Sequence, residues 1–156
     1  MVAITVREYN PESGALIGNV SALNFGRITS GTTSAVKVID VAFSGVTEVS
    51  NIKIGLISNS GLVVNTDPTD VQSDGTSSNG FFGIESSSSF DSAKSSSALT
   101  RHFAGKNGEA SSANANNVSV DNRSATISDY IYLDIQIDSS QVGQGNGAYK
   151  IFFDYS

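Results

Sequence analysis

The chain has 156 residues and no cysteine, and its formal charge is -6, from 15 acidic and 9 basic side chains. That length suits one domain able to bury roughly two-thirds of its unfolded surface, so a core without disulfides suffices, and thiol chemistry and cysteine zinc sites are excluded. The acidic balance has the wrong sign for replacing counterions around phosphates, and no apolar run approaches the ~20 residues of a membrane-spanning helix, so neither a nucleic-acid nor a membrane partner is expected.

Charged residues make up only 15% of the chain, while Ser, Thr, Asn and Gly are abundant, a balance that favours strands joined by polar turns over helices with charged surfaces. The N-terminus, MVAITVREYNPESG, lacks a basic segment followed by an apolar one, so the expectation is a soluble chain made intracellularly without a leader. Period-two alternation then predicts strands over Ala3 to Tyr9 and Leu16 to Phe25. In Leu23 to Gly45 (LNFGRITSGTTSAVKVIDVAFSG), Phe25 is placed to plug the end of a core. Gly26 permits a close approach or a positive φ, and Gly31 with its Thr and Ser neighbours supplies a turn.

The next predicted strand, Ala35 to Phe43, sets Lys37, Ile39, Val41 and Phe43 against Val36, Val38, Asp40 and Ala42. Apolar residues on both faces mean either a central strand or a second face used as an interface. Asn51 to Ile57 alternates through Ile52, Ile54 and Leu56. Asn65 to Gly80 reads as loop, and 72–115 as an extended Ser/Ala/Asn-rich excursion within a single domain of residues 1–156. Phe81, Phe82, Ile84, Phe90, Leu99 and Phe103 punctuate this region, more aromatics than a linker keeps. A short helix over Ser92 to Leu99 and a strand near Asn117 to Val120 are expected, with the excursion either pinned to its own domain or ordered against a neighbour. Tyr130 to Asp138 places Ile131, Leu133, Ile135 and Ile137 on a core face, and Tyr130, Tyr132, Asp134, Gln136 and Asp138 on a face toward water or a partner. After a glycine turn at Gly143, Gly145 and Gly147, Ala148 to Tyr155 is the last strand.

Little in the chain points to chemistry. His102 is the only histidine, no G-x-S-x-G elbow is present, and no pair of carboxylates is singled out for acid and base roles. Asp67, Asp70 and Asp74, with Asn65 nearby, do not match the calcium-loop spacing and read as Asx turns. The G-x-G-x-G of 143–147 precedes a strand, whereas a phosphate cradle precedes a helix. Tyr130, Tyr132, Tyr149 and Tyr155 read as amphipathic cover on a sheet or as interface contacts, with a sugar-stacking platform as the alternative. The Asn-x-Ser triplets at Asn19, Asn117 and Asn122 would matter only in a secreted eukaryotic chain. The expectation is a protein without enzymatic activity, metal or cofactor. Its candidate interface residues are Phe81, Phe82, Phe90, Leu99, Phe103, Tyr130 and Tyr132.

The succession L-N-F-G-x-I-x-x-G-x-x-S-x-x-K-V over Leu23 to Val38 resembles the start of an immunoglobulin-like sandwich found in tailed-phage virion proteins. Asn51 to Leu56 (NIKIGL) and Tyr149 to Tyr155 (YKIFFDY) stand where those families carry an N-x-x-I-x-L strand and an aromatic closing strand. The resemblance does not extend over Gln72 to Ala115. It implies an all-β, antiparallel immunoglobulin-like β-sandwich and a structural role in the virion, in a chain made in the host cytoplasm. The first implied function is a capsid decoration (cement) protein that binds the major capsid protein or other virion proteins, as a homo-oligomer or a symmetric array. The alternatives are a collar or tail-associated protein, and a receptor- or glycan-binding module.

Overall fold

The computed structural model describes residues 1–29, 31–60, 82–92, 94, 95, 99–102, 105, 106, 118–137 and 146–156. Among these the chain is all-β. The strands are β1 (Ala3–Tyr9), β2 (Leu16–Asn19), β3 (Lys37–Ser44), β4 (Val49–Ser60), β5 (Phe82–Ser87) and β6 (Thr100–His102), then β7 (Gly105–Lys106), β8 (Val118–Val120), β9 (Asn122–Ser124), β10 (Ile127–Ser128), β11 (Tyr130–Ile135) and β12 (Asn146–Tyr155). The larger sheet runs β2-β1-β3-β11-β5-β6, with β10 beside β3 and β9 beside β10. The smaller runs β12-β4-β7, with β8 also on β4. The pairings are antiparallel except that of β4 with β7.

Both sheets feed one apolar cluster. Ile39, Val41 and Phe43 of β3, Ile131, Leu133 and Ile135 of β11, and Ile84 of β5 share it with Val49, Ile52, Ile54 and Leu56 of β4 and Val120 of β8. Tyr149, Ile151 and Phe153 of β12 pack against its margin. The period-two patterns in the sequence are therefore the inward faces of these strands.

β4 needs one correction to that pattern, because Val49 and Ile52 are three residues apart yet both are buried. The register slips where Lys53 lies opposite Phe152 but Ser50 opposite Asp154, and Asn51 sits at φ 51°. One extra residue in a left-handed conformation restores the inward direction on both sides of the bulge. Asn51 also donates from Nδ2 to Asp154 at 2.8 Å. Asn51→Gly is expected to leave stability nearly unchanged, whereas Asn51→Val should lose about 1–2 kcal/mol in a denaturant titration, because a β-branched residue resists positive φ.

The second predicted strand is shorter than expected, ending at Asn19. The Asn24 side chain accepts the Gly26 amide at 2.8 Å and Gly26 takes φ 74°, a local turn incompatible with a strand through Phe25. Leu23, Phe25 and Ile28 still pack, partly buried, against the main cluster. At the predicted second turn Gly31 has φ 78° and the Thr32 amide donates to the Thr29 carbonyl at 3.0 Å.

The described part of the excursion is more structured than its composition implies. It contains β5, β6 and β7, and Ile84 lies buried opposite Leu133. No helix forms at the described positions of Ser92 to Leu99, where Ser-rich sequence has weak helix propensity. β8 falls where a strand near Asn117 to Val120 was expected, with Asn117 itself outside the described residues.

Candidate functional site

The outward face of the larger sheet holds the densest polar chemistry among the described residues. Arg7 and Asp40 are directly opposed in the β1–β3 register, so their side chains share one face. Arg7 grips the Asp40 carboxylate with both arms of its fork, Nε to Oδ1 at 2.8 Å and a terminal nitrogen to Oδ2 at 2.6 Å. The Tyr9 hydroxyl donates to Oδ2 at 2.8 Å, and Arg123 reaches the same oxygen at 2.5 Å. Arg123 arrives on the hairpin of β9 and β10, where it also donates to the Ser128 carbonyl at 2.7 Å and lies 4.2 Å from the Tyr130 ring centre.

Asp40 is 0% exposed. Burial alone would push its carboxyl up, but the hydrogen bonds from Arg7, Arg123 and Tyr9 outweigh it and hold the group below its ordinary range. The hydrogen bond to Asp40 raises Arg7 in turn. For Tyr9, burial and then the bond to Asp40 raise the phenol. These directions describe a permanently charged, fully engaged cluster. Its hydrogen bonds join β1, β3 and the β9–β10 hairpin.

Beside it lies a second apolar cluster, formed by Tyr9, Val38, Leu99 and Tyr132 with Val36, Phe90 and Tyr130 at its edge. The Phe90 ring stands 5.9 Å from Tyr130 and 6.5 Å from Tyr132. It also rests on Gly14, where a Cβ would come within 2.9 Å of the ring. The Asp91 amide donates to the Tyr132 hydroxyl at 2.6 Å, and the Lys94 ammonium lies 5.3 Å from that ring's centre. Tyr132 is 0% exposed.

This arrangement redistributes the residues expected at an interface. Phe90, Leu99, Tyr130 and Tyr132 are brought together on their own domain, where Tyr132 is covered rather than turned to water and Tyr130 stays partly exposed. The reason is the chain's return: Phe90 and Leu99 supply the apolar cover that a sequence window around β11 cannot contain. Phe82 and His102 lie in β5 and β6. Phe81, Phe103, Asn65, Asp67, Asp70, Asp74, Gly143 and Gly145 lie outside the described residues. Burial pushes the Tyr149 phenol far up, whereas Tyr155 is exposed. Asn122 spends its amide on the Val49 carbonyl at 2.5 Å, while Asn19 is exposed on β2. Among the described residues no three His, Cys, Asp or Glu side chains converge as metal ligands would.

The Ala35 to Phe43 strand, apolar on both faces and a candidate for edge pairing with a partner, is central, because β3 lies between β1 and β11; the exposed edge is elsewhere. β2 ends one side of the larger sheet, with Leu16 56% and Ile17 60% exposed. Its sequence, LIGN, carries no charge and no proline, the usual guards of an edge. A groove of about 270 Å³ runs beside it, lined by Tyr9, Pro11, Ile17, Phe25, Val36 and Lys37 among others. The consecutive apolar residues in β2 were the available signal. Compared with known proteins, the chain matches no family model, no curated protein and no solved structure.

Proposed function

We propose that the chain is a non-enzymatic structural component of a phage virion, a capsid decoration (cement) protein built as an immunoglobulin-like sandwich. It attaches by its β2 edge to a strand of the major capsid protein. The observation that carries the attachment is the unguarded edge: two exposed aliphatic side chains on a neutral strand at the sheet's margin. A strand of this kind adds to a neighbour's sheet through main-chain hydrogen bonds, while apolar side chains seat in pockets and set specificity. The virion setting rests on the resemblance of Leu23 to Val38, Asn51 to Leu56 and Tyr149 to Tyr155. The engaged state of Asp40, Arg7 and Arg123 supports a binding role over a catalytic one.

Ile17→Lys tests the attachment. A lysine on the edge guards it against pairing, and the exposed position leaves folding within about 0.5 kcal/mol of wild type. Binding to purified shells, measured by co-sedimentation, is expected to weaken by at least about tenfold, a cost of ~1.4 kcal/mol or more. Undiminished binding by a normally folded Ile17→Lys chain would remove β2 from the interface. Binding to isolated tails or to host cells, with none to shells, would favour the tail-associated or receptor-binding alternative.

A further inference from the structure

Asp121 and Asp129 oppose each other at the base of the β9–β10 hairpin. The Asp129 amide donates to the Asp121 carbonyl at 2.8 Å, one step beyond the paired Asn122 and Ser128. Opposed residues of an antiparallel pair carry their Cβ atoms about 4.5–5.5 Å apart, and like charges so placed repel. The two differ in surroundings. Asp121 is exposed, whereas Asp129 is only 7% exposed and its Oδ1 is buried with no hydrogen-bond partner. Arg123, the cation of this hairpin, is already held by Asp40, the Ser128 carbonyl and the Tyr130 ring. A desolvated carboxylate oxygen beside a second carboxylate therefore receives no hydrogen bond from the chain, only the through-space attraction of Arg123.

We propose that Asp121 and Asp129 together hold a divalent cation, with calcium as the best fit. The donor set is hard oxygen, and the exposure of Asp121 leaves the cation open to the waters that complete a shell of about six to eight ligands. Magnesium, which demands near-ideal octahedral geometry and dehydrates reluctantly, suits the pair less well. Two carboxylates place the affinity in the weak class, a Kd on the order of 0.1–1 mM. Binding would fasten the base of the hairpin that carries Arg123 to Asp40. Unlike Asp67, Asp70 and Asp74, which are close in sequence, Asp121 and Asp129 meet only through the hairpin. The proposal does not depend on the virion reading.

The test is the melting temperature of the full chain at neutral pH, in calcium chloride at about ten times that Kd, against EDTA with sodium chloride at equal ionic strength. Calcium is expected to raise the wild-type Tm by about 3–5 °C and to do so by less than about 1 °C in Asp129→Asn and Asp121→Asn. Asp121 is exposed, so its variant keeps the test valid if the buried replacement impairs folding. Absence of a calcium-specific rise in wild type would overturn the proposal. A rise of wild-type size in both variants would also overturn it by placing the cation elsewhere.

Discussion

Replacing Asp40 by alanine is expected to destabilise the domain by about 3–5 kcal/mol, the range for removing one partner of a buried ion pair. The carboxylate is fully buried and accepts four hydrogen bonds, two from Arg7 and one each from Tyr9 and Arg123. Its removal leaves two guanidinium groups facing each other across an emptied space, with most of each side chain covered. That loss exceeds the ~0–1 kcal/mol that a solvent-exposed ion pair typically contributes. A joint replacement of Arg7, Asp40 and Arg123 by apolar residues of similar volume should cost less than Asp40→Ala alone, because no charge remains unpaired. Urea titrations of the three chains measure the difference.

The same cluster sets the acid limb of the stability curve. Asp40 is held below its ordinary range in the folded chain, so its contribution is complete above the unfolded value of about 3.9 and is lost as pH falls through the lower folded value. Wild-type stability should therefore fall below about pH 4, and the Asp40→Ala chain should show a shallower slope there.

The second large effect is at Tyr132. Tyr132→Ala should cost about 3–5 kcal/mol, as deletion of a fully buried aromatic ring does. It removes the surface on which Phe90 and Leu99 rest and the oxygen that accepts the Asp91 amide. Limited proteolysis of the variant should cut between Ser88 and Leu99 faster than in wild type, because that cover opens when its anchor is gone. Tyr132→Phe keeps the ring and loses only the hydroxyl acceptor, so its cost should be near 1 kcal/mol. A Tyr132→Ala chain with an unchanged denaturation midpoint would return the ring to the role of an exposed contact.

The inward faces were legible because period two survives in short windows: Ile52, Ile54 and Leu56, or Ile131, Leu133 and Ile135, need no distant information. The outward face of β11 was not legible, because an antiparallel strand with polar residues on one side ordinarily meets water there. Its cover comes from Phe90 and Leu99, which are remote in sequence and set among serines. The Asp40 network has the same difficulty, since 83 residues separate it from Arg123. A local trace existed in AVKVIDVAF, where a lone carboxylate in a strand apolar on both faces demands a buried cation. The shortened β2 shows the opposite failure: alternation continued through Leu23 and Phe25, but the Asn24–Gly26 turn overrode it.

Attachment without catalysis is tested most directly by sedimenting purified phage shells, stripped of this chain, with wild-type protein and with Ile17→Lys at low and high salt. Wild-type protein is expected to pellet to saturation. Little should be released when salt rises from about 0.1 M to 1 M, although the screening length falls from about 10 Å to about 3 Å, because apolar and main-chain contacts dominate. Ile17→Lys should stay largely in the supernatant. Wild-type protein that remains in the supernatant with the shells, or is fully released by salt, would contradict an apolar strand-edge attachment to the capsid.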